Sequence, residues 1–335
     1  MLKRSSLRVA VVQAASVLFD RDATVEKALD LIGEAAASGA EFVLFPEAFI
    51  PCYPRGLSFG MVVGSRTPEG RGLWERYWQN SIPVPGPATE ALGKAAAGAG
   101  VYLAIGVTER DQDFSAGTLY CTLLYFGPDG SYLGKHRKLK PTGAERLVWG
   151  EGDGSTLTAI ESDIGTIGGL ICWENYMPAA RMAMYARGVD LYLAPTADAR
   201  DTWHATLRHI ACEGRCFVLG CNQFVTRDMY PADLPMRHEL DDQPEVMCRG
   251  GSAIVSPLGK VLAGPLYGQE GILYADLSRQ DLIQSKVDFD PVGHYARPDI
   301  FSLSVDTEPK PPVSFRGTPT RDRTADEPPS PEPTS

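Results

Sequence analysis

The residue best suited to nucleophilic chemistry is Cys172, in the segment IGGLICWEN at residues 167–175. An apolar stretch with two glycines ends in this cysteine, and a helix-like segment begins after Pro178. A cysteine at such a strand-to-helix turn lies beside unpaired backbone N–H groups, which stabilise a thiolate and a developing anion. Free cysteine is also one of the most buried residue types, so a purely structural role stays open from this segment alone.

A carboxylate, Glu47, directly follows the apolar run FVLFP at residues 42–46. The run predicts a strand with Glu47 at its carboxyl end, which is where open α/β sheets place their ligands. Pro46 ends the strand and fixes the direction of the next side chain. Because glutamate is mostly exposed in proteins, a solvated loop residue is the alternative interpretation.

Lysines occur in a third segment, GKHRKLKPT at residues 134–142, which is followed by Glu145. Basic runs are usually exposed faces or sites for polyanions. Leucines flank this run, and a proline ends it. Because side chains alternate along a strand, one lysine can turn inward while the others face water.

Short apolar runs alternate with alanine-rich segments of helical spacing, which predicts an α/β architecture with helices over the sheets. The predicted strands cover residues 9–12, 42–45, 102–107, 121–126, 166–172, 191–194 and 217–221. The predicted helices cover residues 24–37, 89–99, 179–186 and 204–216. The turn sequences at residues 127–130 and 257–260 indicate hairpins, so mixed sheets are expected.

Composition divides the chain in two and excludes several classes of protein. Residues 1–305 are expected to form one domain, and the proline-rich residues 306–335 a disordered tail. The net charge of -10 argues against a nucleic-acid surface. No apolar run reaches the roughly 18 residues that a membrane helix needs. The seven cysteines contain no CxxC pair, and with no secretory signal we expect free thiols in the cytoplasm.

Taken together, the three segments resemble a known family. FPEAF, HRKLKPT with the following ER, and GGLICWENYMP are similar to the three catalytic blocks of the nitrilase, or carbon-nitrogen hydrolase, superfamily. CWEN and LVWGEGDGS resemble the true nitrilase branch, and the likeness extends from about residue 9 to 305. The resemblance implies that Glu47, Lys138 and Cys172 form a catalytic triad. It also implies that Glu145 is a second structural or catalytic glutamate.

The same resemblance implies a fold and partners. The expected fold is a four-layer αββα sandwich of two mixed sheets, dimerising through helices and extending into larger homo-oligomers or spirals. A small-molecule nitrile is the expected substrate, with no metal and no organic cofactor. Tyr53, Trp173 and Thr196 are the candidate substrate-binding residues because they lie within or beside the motifs.

The three side-chain types suit a nitrile, whose carbon is a weak electrophile. A thiolate attacks it better than a hydroxyl, and a nearby ammonium should favour the thiolate. Glu47 would be the general base, with a pKa raised by burial near another carboxylate. Lys138 and the backbone N–H of Trp173 would stabilise the developing negative charge, and Glu145 would orient Lys138 or Glu47.

Other interpretations have weaker support. The sequence GLSFG around Ser58 matches a serine-hydrolase motif, but no strand precedes it. His209, Cys212 and Cys216 have helical spacing, which fits a helix core better than a metal site. The glycine-rich residues 150–154 precede no phosphate-binding lysine. An amidase or carbamoylase of the same superfamily remains the main alternative, and a non-catalytic scaffold the lesser one.

Overall fold

Two mixed β-sheets form the centre of the protein, in a computed structural model that describes residues 2–314. The strands of this part of the chain are β1 (Ser6–Gln13), β2 (Phe42–Leu44), β3 (Met61–Val62), β4 (Ser65–Arg66), β5 (Ile82–Pro83), β6 (Tyr102–Arg110), β7 (Leu119–Phe126), β8 (Tyr132–Arg137), β9 (Ala159–Ser162), β10 (Gly165–Gly169), β11 (Leu191–Pro195), β12 (Phe217–Cys221), β13 (Phe224–Thr226), β14 (Val246–Val255), β15 (Val261–Tyr267) and β16 (Gly271–Ser278). Its α-helices are α1 (Arg21–Ala37), α2 (Pro68–Asn80), α3 (Pro87–Ala99), α4 (Pro178–Ala186), α5 (Thr202–Gly214) and α6 (Arg279–Ser285).

The first sheet has the strand order β16-β1-β2-β6-β7-β8, with β5 beside β6. The second has the order β13-β14-β12-β11-β10-β9, with β15 beside β14. In each sheet a parallel core, β1-β2-β6 or β10-β11-β12, is extended by antiparallel strands. The predicted mixed sheets are therefore confirmed.

Side-chain alternation explains how the layers pack. In β1, Val9 and Val11 belong to the core between the two sheets, whereas Ala10 and Val12 pack under α1 and α3. In β11, Leu193 belongs to the same inter-sheet core, and Tyr192 packs with α4 and α5. Strands buried on both faces need covering on both sides. The result is helix, sheet, sheet, helix, which confirms the four-layer sandwich.

The predicted elements are present with differences at their ends, but several further elements were not predicted. Both predicted hairpins are present, as β7–β8 and β14–β15. Strand β10 ends at Gly169, three residues before the predicted end, because the chain turns away from the sheet ahead of Cys172. The sequence analysis missed α2, α6 and most strands after β12. Strand β15 is partly exposed along its length, so it lacks the apolar run on which the prediction relied.

Three further observations bear on the composition. All seven cysteines are free thiols. Within residues 2–314 no helix combines the length and apolar character needed to cross a bilayer. Residues 306–314 are exposed and contain no helix or strand, and the remainder of the predicted tail, residues 315–335, lies outside the described part of the chain.

Candidate active site

Three strand ends meet at one edge of the sandwich and carry the three predicted side chains. Glu47 follows β2, and Lys138 follows β8, whose pairing continues through a 2.8 Å bond from the Lys138 backbone N to the Cys121 carbonyl. Cys172 begins a short 3-10 helix, Cys172–Tyr176, just after β10. The first two side chains come from one sheet and the third from the other, so the site lies between the sheets.

Cys172 occupies a left-handed backbone conformation, with φ of 53°. Such a conformation is uncommon for a residue with a side chain and must be held by its surroundings. The Asn175 Nδ2 atom donates to the carbonyls of Leu170, at 2.8 Å, and Cys172, at 2.9 Å. The Asn175 Oδ1 atom accepts a 2.8 Å bond from the hydroxyl of Tyr192. This buried amide therefore fixes the turn that presents the thiol.

The Lys138 ammonium lies between two carboxylates. Its Nζ atom is 2.6 Å from Glu47 Oε1 and 2.7 Å from Glu145 Oε2. The Lys138 and Glu47 side chains are fully buried, and that of Glu145 is 9% exposed. A single cation therefore pairs with two buried carboxylates, and the cluster has an excess of negative charge when both carboxylates are ionised.

Further hydrogen bonds fix the Glu47 side chain and its main chain. Glu47 Oε2 accepts a 2.9 Å bond from the backbone N–H of Ala197, and the carboxylate is also hydrogen-bonded to Cys172. The backbone carbonyl of Glu47 accepts a 2.6 Å bond from Gln223 Nε2. Cys121 lies behind the carboxylate, with its Sγ 3.6 Å from Glu47 Oε1. Glu47 is therefore held in place by its main chain and by both oxygens.

Burial and charge set the protonation of the thiol and its neighbours. Burial raises the pKa of Glu47, the Lys138 charge lowers it, and the Glu145 charge raises it, with a net increase. Burial also raises the pKa of Cys172, Glu47 raises it further, and Lys138 lowers it without reversing the shift. The increase for Glu47 agrees with the sequence analysis. The Lys138 ammonium favours the thiolate as expected, but burial and the adjacent carboxylate outweigh it and raise the pKa of Cys172 overall.

Glu145 lies in a short 3-10 helix, Gly143–Leu147, and forms its capping box with Thr142. Glu145 Oε2 accepts a 2.6 Å bond from the Thr142 backbone N–H as well as the bond from Lys138. Glu145 Oε1 accepts a 2.7 Å bond from the hydroxyl of Tyr53. Glu145 thus links the ammonium to an aromatic residue in front of the site, and it contacts Lys138 directly.

A cavity of about 470 Å³ opens onto the thiol. Tyr53, Glu145, Cys172 and Trp173 line it, so two of the three predicted substrate-binding residues do face this space. Thr196 does not line the cavity and instead donates a 3.1 Å bond from its hydroxyl to Cys172 Sγ. The lining residues that the sequence analysis did not single out are Arg55, Thr142, Ala197, Asp198, Ala199, Arg200, Val246, Met247 and Arg249.

Two of the missed residues lie close in sequence to predicted ones, since Arg55 is two residues after Tyr53 and Asp198 is two residues after Thr196. Asp198 accepts a 2.9 Å bond from Trp173 Nε1 and pairs with Arg200, whose guanidinium carbon is 4.6 Å from the centre of the Trp173 ring. Val246 and Arg249 come from β14, far along the chain, and no local signal marks them.

The competing sites have no comparable geometry. Ser58 follows loop residues and not a strand, and its hydroxyl bonds to Glu239. His209 is exposed and pairs with Glu213, whereas Cys216 is fully buried. No group of three or more His, Cys, Asp or Glu residues suited to hold a metal ion occurs in residues 2–314. The glycines at residues 152 and 154 pack closely against the main chain of Arg137 and Asp306.

Comparisons with known proteins agree with this architecture. The sequence profile of the carbon-nitrogen hydrolase family matches residues 8–287. The chain belongs to the carbon-nitrogen hydrolase family. This hydrolase is 56% identical to a protein named aliphatic nitrilase from Sinorhizobium fredii, over 93% of this chain and 99% of that protein. It is 49% identical to a bifunctional nitrilase/nitrile hydratase of Lupinus angustifolius, over 94% of this chain and 90% of that protein.

A solved structure shows the same fold for this hydrolase at lower identity. A carbon-nitrogen hydrolase from Helicobacter pylori superposes with a TM-score of 0.69 and 21% identity. The alignment covers 89% of this chain and 98% of that one. The family resemblance drawn from the three motifs is thereby confirmed.

Proposed function

We propose that this chain is a nitrilase that converts an organic nitrile and two waters to the carboxylic acid and ammonia, with Cys172 as the nucleophile. The observation that carries the proposal is the convergence of a thiol, a carboxylate and an ammonium beside one cavity, which the thiol lines. The two relatives described above carry nitrilase in their names, which supports the nitrile as substrate.

In the first step the sulfur of Cys172 adds to the nitrile carbon. Because the pKa of Cys172 is raised, the thiol is protonated at rest, and Glu47 takes its proton as the new C–S bond forms. That proton passes to the nitrile nitrogen, which gives a neutral thioimidate. Lys138 and the backbone N–H of Trp173, in the first turn of its 3-10 helix, stabilise the negative charge that develops on nitrogen.

In the second step Glu47 activates a water that attacks the thioimidate carbon. The tetrahedral intermediate expels ammonia after nitrogen is protonated, and a thioester remains on Cys172. A second water, activated in the same way, hydrolyses the thioester to the acid and restores the thiol. Glu145 holds Lys138 towards Glu47, and Tyr53 holds Glu145 in turn. Besides the two waters, these reaction steps use only groups of the protein.

The direct test replaces the sulfur. Cys172→Ala should remove ammonia release from a nitrile that the wild-type enzyme hydrolyses, a loss of up to about 10⁶-fold in kcat. Cys212→Ala is the matched control, since Cys212 lies on α5 and does not line the cavity. Circular dichroism should show both variants folded. Unchanged ammonia release by folded Cys172→Ala would remove this residue from the mechanism.

The products and substrates decide between a nitrilase and an amidase. Aliphatic, aromatic and arylaliphatic nitriles and the matching amides should be assayed together, with acid, amide and ammonia quantified for each. We expect hydrolysis of at least one nitrile class with the acid as the main product. Some amide release is compatible with this chemistry, because the tetrahedral intermediate can expel the thiol instead of ammonia. Turnover of amides alone would replace the nitrilase assignment with that of an amidase.

Assembly and location are further parts of the proposal. We propose a homodimer that builds larger homo-oligomers or spirals. A groove of about 620 Å³ beside α4 supports this, because exposed apolar residues such as Tyr295, Phe301 and Leu303 line it. Large exposed apolar surfaces mark interaction sites. Light scattering coupled to gel filtration would contradict it by showing only a monomer.

The seven free thiols fit a reducing compartment, and we propose the cytoplasm as the location of this chain.

A further inference from the structure

A second buried carboxylate, Glu174, lies between the lysine strand and the cysteine turn. Glu174 Oε1 accepts a 2.7 Å bond from the backbone N–H of Leu139, the residue after Lys138. Its Oε2 accepts a 2.7 Å bond from the backbone N–H of Ile171, the residue before Cys172. One carboxylate thus joins the two chain segments that carry the ammonium and the thiol, although these segments belong to different sheets.

His136 completes this arrangement. Its Nε2 atom is 3.0 Å from Glu174 Oε2 and 3.2 Å from Oε1, and both side chains are fully buried. Its Nδ1 atom is 2.9 Å from the carbonyl of Thr156, which can only accept a hydrogen bond. Both ring nitrogens therefore face acceptors, and an imidazolium satisfies both. Burial lowers the pKa of His136, but the Glu174 charge and the hydrogen bonds outweigh it and raise that pKa overall.

The pair does not line the cavity, and its polar atoms bond to each other and to the backbone of Leu139, Thr156 and Ile171, so none is directed at the substrate. His136 is on the same strand face as Lys138, two residues earlier, because side chains alternate along β8. The bond to Ile171 also fixes the residue that leads into the left-handed Cys172. The pair can therefore act only through the positions of Lys138 and Cys172.

We propose that the buried His136–Glu174 ion pair is a positioning device that sets the distance between the Lys138 ammonium and the Cys172 thiol. This inference rests on the proposed function. The misplacement of a reacting group by about 1 Å costs roughly a hundred-fold in rate. Loss of the pair should therefore lower kcat and leave KM close to that of the wild type.

The test compares two isosteric variants of buried carboxylates. Glu174→Gln can no longer accept both backbone bonds and carry the charge, and its kcat should fall about 100-fold. Glu109→Gln is the control, because Glu109 is also buried and contacts β8 through Lys135 and Arg137, on the face away from the site. Its kcat per folded protein should equal that of the wild type.

A measurement without a nitrile separates this inference from the proposed function. Alkylation of Cys172 by iodoacetamide requires Glu47 or water to remove the thiol proton, so it should slow in Glu174→Gln and not in Glu109→Gln. A chain that is alkylated normally but hydrolyses no nitrile would contradict the proposed function alone. Equal alkylation rates and equal kcat in folded Glu174→Gln and Glu109→Gln would overturn the inference.

His136→Gln provides a second variant if Glu174→Gln fails to fold. One amide group cannot donate to both Glu174 and Thr156, so kcat and the alkylation rate should both fall, by less than in Glu174→Gln. Because the two residues act as a unit, the double variant should lose less than the product of the two single losses. A folded His136→Gln with wild-type kcat and alkylation rate would also overturn the inference.

Discussion

Strand β8 carries a buried charge cluster on each of its two faces, and the two differ in their ratio of cations to carboxylates. On one face Lys135 and Arg137 both pair with Glu109, at 2.5 and 2.6 Å. Arg137 also pairs with the buried Asp111, at 3.3 Å. On the other face Lys138 alone pairs with Glu47 and Glu145, at 2.6 and 2.7 Å. Two cations for two buried carboxylates balance the charge on that face, whereas one cation for two carboxylates leaves a carboxylate able to accept a proton.

Access to substrate differs in the same way. Glu145 and Cys172 line the cavity of about 470 Å³, and Lys138 and Glu47 contact them from behind. Glu109, Lys135 and Arg137 neither line it nor contact Cys172. Arg137 instead stacks over the ring of Tyr120, with its guanidinium carbon 4.0 Å from the ring centre. Buried charge alone is therefore a poor marker of function. A deficit of cations next to a nucleophile and a cavity is the better one.

Replacement of either buried cation should destabilise the protein, but only that of Lys138 should also affect catalysis. Lys138→Met should lower kcat by about 100- to 1000-fold, because it removes the group that stabilises the developing negative charge. Arg137→Met should keep kcat and lower the free energy of unfolding by about 3 kcal/mol, since it breaks a buried pair. Steady-state kinetics and urea unfolding measure the two. A large fall in kcat for folded Arg137→Met would break the comparison.

Removal of the Glu145 carboxylate should lower kcat by less than removal of the Lys138 ammonium. Glu145→Gln keeps an acceptor for the Tyr53 hydroxyl but weakens the hold on Lys138. We expect kcat to fall by about 10- to 100-fold, the range seen when a supporting partner of a functional group is lost. Tyr53→Phe is the matched comparison, because it removes the neighbouring bond and leaves the charge. Equal kcat in wild type and Glu145→Gln would show that Glu47 alone holds Lys138 well enough for catalysis.

The pH profile tests the charge imbalance directly. In the proposed mechanism ionised Glu47 is the active base, so kcat/KM should fall as the pH drops through its pKa. Since that pKa is raised, the acid limb should lie above the value of about 4.3 for an ordinary glutamate. The Glu145 charge raises the pKa of Glu47, so the limb should move to lower pH in Glu145→Gln. An acid limb at the ordinary value would mean that burial does not raise the pKa of Glu47.

Motifs and alternation allowed much of this arrangement to be predicted. The run around Lys138 was expected to turn one lysine inward, and that lysine is fully buried. The expectation that the other basic residues face water is wrong for Lys135 and Arg137. Their partner, Glu109, lies on the neighbouring part of the first sheet, 26 and 28 residues away in sequence, and no local pattern marks such a pairing.

Residues contributed by distant segments explain the rest of what was missed. The Ala197 N–H that holds Glu47 lies 150 residues from it, and Arg249 reaches the cavity from β14. The Glu174 carboxylate was present in a quoted motif, but its role depends on the partner segment around Leu139. The direction of the Cys172 pKa shift was also missed, because burial depends on the whole fold and not on the ammonium alone.

The smallest expected effect concerns the end of the chain, where the division at residue 305 stays a prediction. Residues 306–314 do not line the cavity. They contact the loop that contains Asp153, through a 2.7 Å bond from the Lys310 backbone N to the Asp153 carboxylate. Truncation after residue 305 removes this exposed bond and should cost at most about 1 kcal/mol with kcat unchanged. Truncation after residue 287 also removes Phe301 and Leu303, which line the groove beside α4, and should destabilise the protein more. Thermal unfolding and ammonia release compare the two. A folded but inactive protein ending at residue 305 would contradict the prediction that residues 306–335 are not needed for activity.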